Sequence, residues 1–198
     1  MEHQATYRPL KQTHVAAAGC YILEAFNPPP VQADSPAVQV MTDLSRVPSA
    51  TIAPDATLEE ANQSMILRGV RLLLVAGDTL QIAGVVTSAD VLGEKPVLVA
   101  QRRQSKRGDL RVADIMVPVE AMEVLHIEDV RKASVGSVVA TLKQAGRAHA
   151  LVVGDVNGKQ SLVGVFSAAQ IARQLGVQIH THEMARTFAE IEALIVGV

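Results

Sequence analysis

Thr87 and Asp90 are the residues of this chain whose types and spacing best suit chemistry. They stand in Gly84-Val85-Val86-Thr87-Ser88-Ala89-Asp90, where an apolar strand gives way to a helix start. Backbone N–H groups and a hydroxyl at such a junction face whatever lies beyond the strand end, which makes a natural anion site. Asp90, one turn into the helix and on the same side as Thr87, can accept two hydrogen bonds and so suits the vicinal hydroxyls of a ribose. The same residues also fit plain capping, with Thr87 or Ser88 as N-cap and Asp90 favouring the helix dipole. Taken alone, the heptapeptide favours the cap.

Its surroundings change the balance, because the pattern occurs twice. Gly164-Val165-Phe166-Ser167-Ala168-Ala169-Gln170 again runs from an apolar strand through a hydroxyl into a helix start. Gly77-Asp78 matches Gly154-Asp155, Leu72-Leu73-Leu74-Val75 matches His149-Ala150-Leu151-Val152, and Met41 matches Met116. A unit that repeats usually cannot bury its apolar face alone and packs against its sibling. Two copies therefore suggest one pseudo-symmetric α/β domain.

The elements that must position these residues follow the order β-α-β-β-α in each copy. In the first, strands are expected at 48–53, 72–76 and 82–87, with helices from Leu58 and from Ser88. Thr57 followed three residues later by Glu60 is a capping-box signature, with Leu58, Ala61 and Met65 on one face and Gly69 as the stop. In the second, strands are expected at 122–127, 149–153 and 162–167, with helices at 135–145, ending at Gly146, and 168–175. Turns are expected at Gly77-Asp78-Thr79 and at Asn157-Gly158, the latter a strong hairpin signal.

The division along the chain is an extension over 1–37, a first copy over 38–93, a connector over 94–111, a second copy over 112–176 and a terminal helix over 177–198. The extension carries Pro28-Pro29-Pro30, an extended spacer, and one apolar patch, Tyr21-Ile22-Leu23 with Phe26 nearby. Glu183, Met184, Phe188, Ile191, Leu194 and Ile195 have helical spacing and suggest a helix covering a sheet or a dimer seam. The connector holds Arg102-Arg103-Gln104-Ser105-Lys106-Arg107, read as a solvated run or as a basic arm closing over a phosphate.

Composition narrows the classes. With 198 residues, 48% hydrophobic and 19% charged, the chain has ample material for a packed core. A net charge of −2 gives no reason to expect nucleic acid or an anionic membrane as partner, and 3% aromatics argue against base-stacking platforms. The single cysteine, Cys20, cannot form an internal disulfide, which fits a cytoplasmic, reducing setting. Ala16-Ala17-Ala18-Gly19-Cys20 looks like a lipoprotein cleavage site, but the apolar run before it is too short for a signal segment. His180-Thr181-His182-Glu183 is the one cluster of metal-ligand residue types, and histidines two apart do not face one another on a helix. No metal site, P-loop, catalytic triad or zinc-protease helix is expected, so neither is an enzyme.

The repeated β-α-β-β-α unit ending in this motif resembles a tandem pair of CBS domains, over roughly residues 38 to 176. The family hallmark, Gly-h-x-Thr/Ser-x-x-Asp, is complete as Gly84, Thr87 and Asp90, and reads Gly164, Ser167 and Gln170 in the second copy. The resemblance implies a regulatory protein that binds an adenosine compound (AMP, ADP, ATP or S-adenosylmethionine) between the copies, needs no cofactor, pairs into a homodimer and acts on a partner protein. A dimerisation scaffold without ligand is the alternative. Carried over by position, a first cleft would comprise Thr87, Asp90, Val124, Leu125, Ala148 and His149, and a second Ser49, Ala50, Arg71, Leu72, Ser167 and Gln170. Gln170 departs from the family pattern, since an amide lacks the charge that strengthens bonds to a ribose. The first cleft is therefore expected to bind and the second to be weak, empty or altered. His149, where the sibling copy has Leu72, fits a ligand contact or a half-buried strand histidine.

Overall fold

The computed structural model describes residues 11–15, 31–78, 81–177 and 188–193. The spacer Pro28-Pro29-Pro30, the patch of Tyr21 to Leu23 with Phe26, Cys20, Thr79, the cluster His180 to Glu183, and Met184, Leu194 and Ile195 lie outside the described residues. The chain divides into two compact units, residues 1–30 and 31–198. In the first, residues 11–15 are exposed and form no regular element.

In the second unit the chain runs β1 (Thr42–Asp43), β2 (Thr51–Ile52), α1 (Leu58–Arg68), β3 (Leu72–Ala76), β4 (Ile82–Thr87), α2 (Ser88–Leu92), α3 (Lys95–Arg103) and α4 (Val112–Ile115). It continues β5 (Val117–Pro118), β6 (Val124–His126), α5 (Ile127–Val130), α6 (Val135–Ala145), β7 (His149–Val156), β8 (Lys159–Ser167) and α7 (Ala168–Gln174). Two four-stranded sheets result, in the orders β2-β3-β4-β5 and β1-β8-β7-β6. In each, the leading strand of a copy lies parallel to its second strand, which is antiparallel to the third.

The fourth strand of each sheet is an exchange. β5 leads into the second copy yet pairs with β4 of the first, through Gly84↔Pro118 and Val85↔Val117. β1 leads into the first copy yet pairs with β8 of the second, through Thr42↔Val165 and Asp43↔Gly164. Gly84 and Gly164 lie where these strands cross, so a Cβ at either would overlap its visitor. Absence of a side chain is what those two positions require.

Helix ends follow the expected chemistry. Thr57 Oγ1 accepts from the Glu60 N–H at 3.1 Å, while Glu60 Oε2 accepts from the Thr57 N–H at 2.7 Å. Those bonds hold the Glu60 carboxyl below its ordinary pKa, that of the Thr57 N–H contributing most. Gly69 and Gly146 close α1 and α6 with φ of 63° and 61°, the left-handed region that glycine enters without strain. Asn157 and Gly158, at φ 55° and 75°, make the expected tight hairpin. β7 and β8 extend to reach that turn and so exceed the expected 149–153 and 162–167. β2 and β6 are shorter than expected, because each pairs with its neighbour over only two or three residues.

Three apolar clusters hold the unit. Leu58, Ala61, Met65, Leu73, Val75 and Val86 fill the space under α1, and Leu110, Val112 and Ile115 from the connector join them. Phe166, Leu142, Val152 and Ile171 centre the second copy, where Phe188 and Ile191 also pack. Leu74, Val85 and Leu151 meet between the copies with Val117, Val124 and Val165 around them. Leu73 and Val75 thus face the helices while Leu74 faces the sibling sheet. Burial on both faces is why these strands read as unbroken apolar runs.

Two segments differ from their sequence reading. Residues 31–40 belong to the second copy's core: Ala37 and Val40 are buried there, and the Ala37 N–H donates to the Ala133 carbonyl at 2.9 Å. The connector contains α3, and its basic residues Arg102, Arg103, Lys106 and Arg107 are exposed. Its Arg103 pairs with Asp114, and Arg107 Nη2 donates to the Val91 carbonyl at 3.1 Å.

Candidate functional site

Thr87 and Asp90 are joined, and their first partners are each other. Asp90 Oδ2 accepts from Thr87 Oγ1 at 2.6 Å and from the Thr87 N–H at 2.9 Å, while Thr87 Oγ1 accepts from the Asp90 N–H at 3.3 Å. The second oxygen, Oδ1, takes Lys95 Nζ at 3.0 Å. The pair is a capping box for α2, with a lysine from α3 on the remaining lone pairs.

Strand register places the other residues assigned to that cleft. Val124 lies opposite Leu151 as Thr51 lies opposite Leu74, so the counterparts of Ser49 and Ala50 are Met122 and Glu123, two residues before Val124 and Leu125. Val124 packs between the sheets and Leu125 against the second copy's core. Glu123 is paired with Arg147 at 2.9 Å. The Ala148 carbonyl accepts the Ala168 N–H at 2.9 Å, fixing the start of α7, as the Arg71 carbonyl accepts the Ser88 N–H at 3.0 Å.

All six residues assigned to the second cleft line one cavity of about 410 Å³: Ser49, Ala50, Arg71 and Leu72 from the first copy, Ser167 and Gln170 from the second. His149 lines it too. Ser167 differs from Thr87 in that its hydroxyl makes no capping bond to α7. Gln170 Oε1 accepts from Thr42 Oγ1 at 3.1 Å, so β1 is tied to α7 at the cavity wall. A wider groove of about 1270 Å³ shares Thr42, Val47 and Gln170 with it.

The charges in the two places differ. Arg71 and Arg173 line the second cavity, and no aspartate or glutamate does. The first set holds Asp90 and places Glu123 at the position of Ala50. His149 is half-buried, and burial first and the Arg71 guanidinium second push its pKa down to about 4, leaving a neutral imidazole at pH 7.

Sequence reasoning missed Thr42 and Arg173. Thr42 reaches the cavity only through the pairing of β1 with β8, Thr42↔Val165, which the Met41 and Met116 match does not reveal. Arg173 lies three residues after Gln170 in a helix, the spacing that puts two side chains on one face. Among the described residues no group of three or more His, Cys, Asp or Glu could hold a metal ion, and no helix is long and apolar enough to cross a membrane.

Comparison with known proteins agrees with this architecture. Residues 38–96 match the family model of the CBS domain. No curated protein sequence matches the chain. Among solved structures, the fold is similar to an uncharacterized conserved protein from Pyrococcus horikoshii, with a TM-score of 0.54 and 20% identity over 76% of this chain and 99% of that one. It is also similar to CBSX2 of Arabidopsis thaliana in complex with AMP, with a TM-score of 0.51 and 21% identity over 70% and 94% of the two chains. The CBS domain of a bacterial CNNM/CorC family Mg2+ transporter gives 0.50 and 19%, over 75% and 79%. At these identities the likeness is one of fold.

Proposed function

We propose that this tandem CBS-domain protein is a regulatory module, not an enzyme, that binds an adenine nucleotide in the second cleft and passes the binding on to a partner protein. The observation that carries the reading is a cavity walled by both copies, with two arginines and no carboxylate on its lining. Its volume of about 410 Å³ suits a small ligand, and Ser167 and the arginines suit a phosphate. The fold neighbour CBSX2, solved in complex with AMP, supports adenine as the base. The first cleft, with Thr87 and Asp90 bound to each other and Asp90 also to Lys95, takes second place. This reverses the order expected from Gln170 alone, because the charge of the whole wall outweighs one residue.

A ligand held by both copies favours the arrangement of copies that fits it, by its differential affinity, typically about 1–3 kcal/mol of coupling. The reading places the protein in the cytoplasm, requires no cofactor and includes neither nucleic acid nor membrane. Calorimetric titration of the full chain with AMP, ADP, ATP and S-adenosylmethionine tests it. Saturable binding is expected, weakened at least about tenfold by Arg71→Glu, the loss of one charge-assisted contact. Asp90→Ala leaves affinity unchanged and lowers stability by about 1 kcal/mol through its cap. Flat traces throughout would support the other reading, a scaffold whose Asp90 and Gln170 are satisfied within the chain.

The reading includes a homodimer built on the first copy's helices. Ile66 and Leu67 of α1, Leu92 of α2 and Val97 and Leu98 of α3 are exposed, while α5, α6 and α7 expose no large apolar side chain among the described residues. Residues 31–40 and 188–193 bury apolar side chains in the second copy's core, and among the described residues no such cover lies on α1. Contiguous exposed apolar surface marks an interface. Light scattering at micromolar concentration is expected to give twice the 21.0 kDa chain mass, and Leu67→Glu the monomer.

A further inference from the structure

Granted an adenine nucleotide in the second cleft, the reading on which this rests, the walls also determine which part of the ligand is recognised. We infer that this cleft selects its ligand by phosphate number and is nearly indifferent to the ribose 2′-hydroxyl. Position 170 carries the first half of the argument. A carboxylate there would accept from both ribose hydroxyls, each bond strengthened by charge. Gln170 offers one acceptor oxygen, and Thr42 Oγ1 already donates to it at 3.1 Å. Thr42 is not free to leave, because β1 holds it opposite Val165 of β8. The wall that would grip the diol is therefore neutral, with one of its acceptor lone pairs already used from within.

The other half lies with the arginines. Arg71 enters from the start of β3 in the first copy and Arg173 from the last turn of α7 in the second, and both line the cleft. Arg173 stands one turn beyond Gln170, on the same face of α7, so the amide that fails the ribose sits beside a cation that suits a phosphate. A carboxylate at 170 would repel the tail that Arg173 attracts. His149, neutral at pH 7, opposes no phosphate and can share one hydrogen bond with it. Each additional phosphate thus meets a guanidinium or a neutral donor and no fixed negative charge.

Titrating the full chain with AMP, ATP and 2′-deoxyATP, beside Gln170→Asp and Arg173→Gln, decides the matter. ATP is expected to bind at least about tenfold tighter than AMP, and 2′-deoxyATP within about threefold of ATP. Arg173→Gln removes most of the advantage of ATP over AMP. Gln170→Asp introduces a preference of about tenfold for ATP over 2′-deoxyATP and narrows the gap between ATP and AMP, the gain of one charge-assisted bond and of one repulsion. Saturable binding in which AMP equals ATP, or in which unmodified protein rejects 2′-deoxyATP about tenfold, overturns the inference and leaves the nucleotide site standing. Absence of binding by all three compounds overturns both.

Discussion

Gly84→Ala is expected to lower the unfolding free energy by about 3 kcal/mol, and Gly164→Ala by about 1 kcal/mol. The two glycines hold equivalent places in the two copies, so the difference comes from what crosses them. A Cβ at Gly84 would overlap the backbone carbonyl oxygen of Val117 and lie 3.1 Å from both Met116 Sδ and Pro118 Cα. Backbone cannot withdraw without losing the pairing of β5 with β4 at Gly84↔Pro118 and Val85↔Val117. Val85 and Val117 are also part of the apolar layer between the copies, so movement there opens the centre of the domain. At Gly164 the three nearest atoms all belong to the side chain of Met41. Methionine has several rotatable bonds and can turn aside while β1 stays paired. Urea denaturation of both variants measures the contrast. Equal losses at the two positions would mean that β5 is as free to move as the Met41 side chain.

The same crossing explains what the sequence did and did not reveal. The repeat, the β-α-β-β-α order and the limits of α1 and α6 were legible, because Thr57 with Glu60, Gly69 and Gly146 are local devices that act within a few residues. The exchange of β1 and β5 was not. Met41 and Met116 match each other whichever sheet each strand joins, so local pattern carries no information about the partner. Residues 31–40 escaped for a related reason: a short segment following three prolines, itself broken by Pro36, reads as an appendage until Ala133 and Val135 are seen to supply its hydrogen-bond partners.

At the site, sequence supplies candidate residues but not the partners that engage their polar groups. Ser49, Ala50, Arg71, Leu72, Ser167 and Gln170, a set drawn from the family resemblance, line one cavity. Whether a motif carboxylate or amide is available depends on residues outside the motif, Lys95 for Asp90 and Thr42 for Gln170. Those partners come from the connector and from the exchanged strand, both outside the motif. Register added a second ambiguity, since position in the family placed Val124 and Leu125 where pairing makes Met122 and Glu123 the counterparts of Ser49 and Ala50.

His149 gives the cleft a pH limit that its sibling position lacks. Its folded-state pKa of about 4 lies below the ordinary value of about 6.5, so between these values the unfolded chain holds a proton that the folded chain refuses. Stability is therefore complete above pH 6.5 and falls as pH drops toward 4. The full shift corresponds to about 3 kcal/mol, and partial solvent access reduces the expected loss to about 2 kcal/mol. Asp43, Glu60 and Asp114 have lowered pKa values, so their contributions disappear at still lower pH and do not overlap most of this window. Denaturation at pH 7.5, 6 and 4.5 reads the slope. His149→Leu, which installs the residue of the sibling copy at Leu72, is expected to flatten it. Arg71→Leu removes the second cause of the shift and is expected to move the window's lower edge upward without abolishing it, since burial remains. A slope that survives His149→Leu would assign the titration to another group. If the slope disappears, the proposed nucleotide cleft loses its neutral wall, and with it part of its stability, as the medium turns acidic.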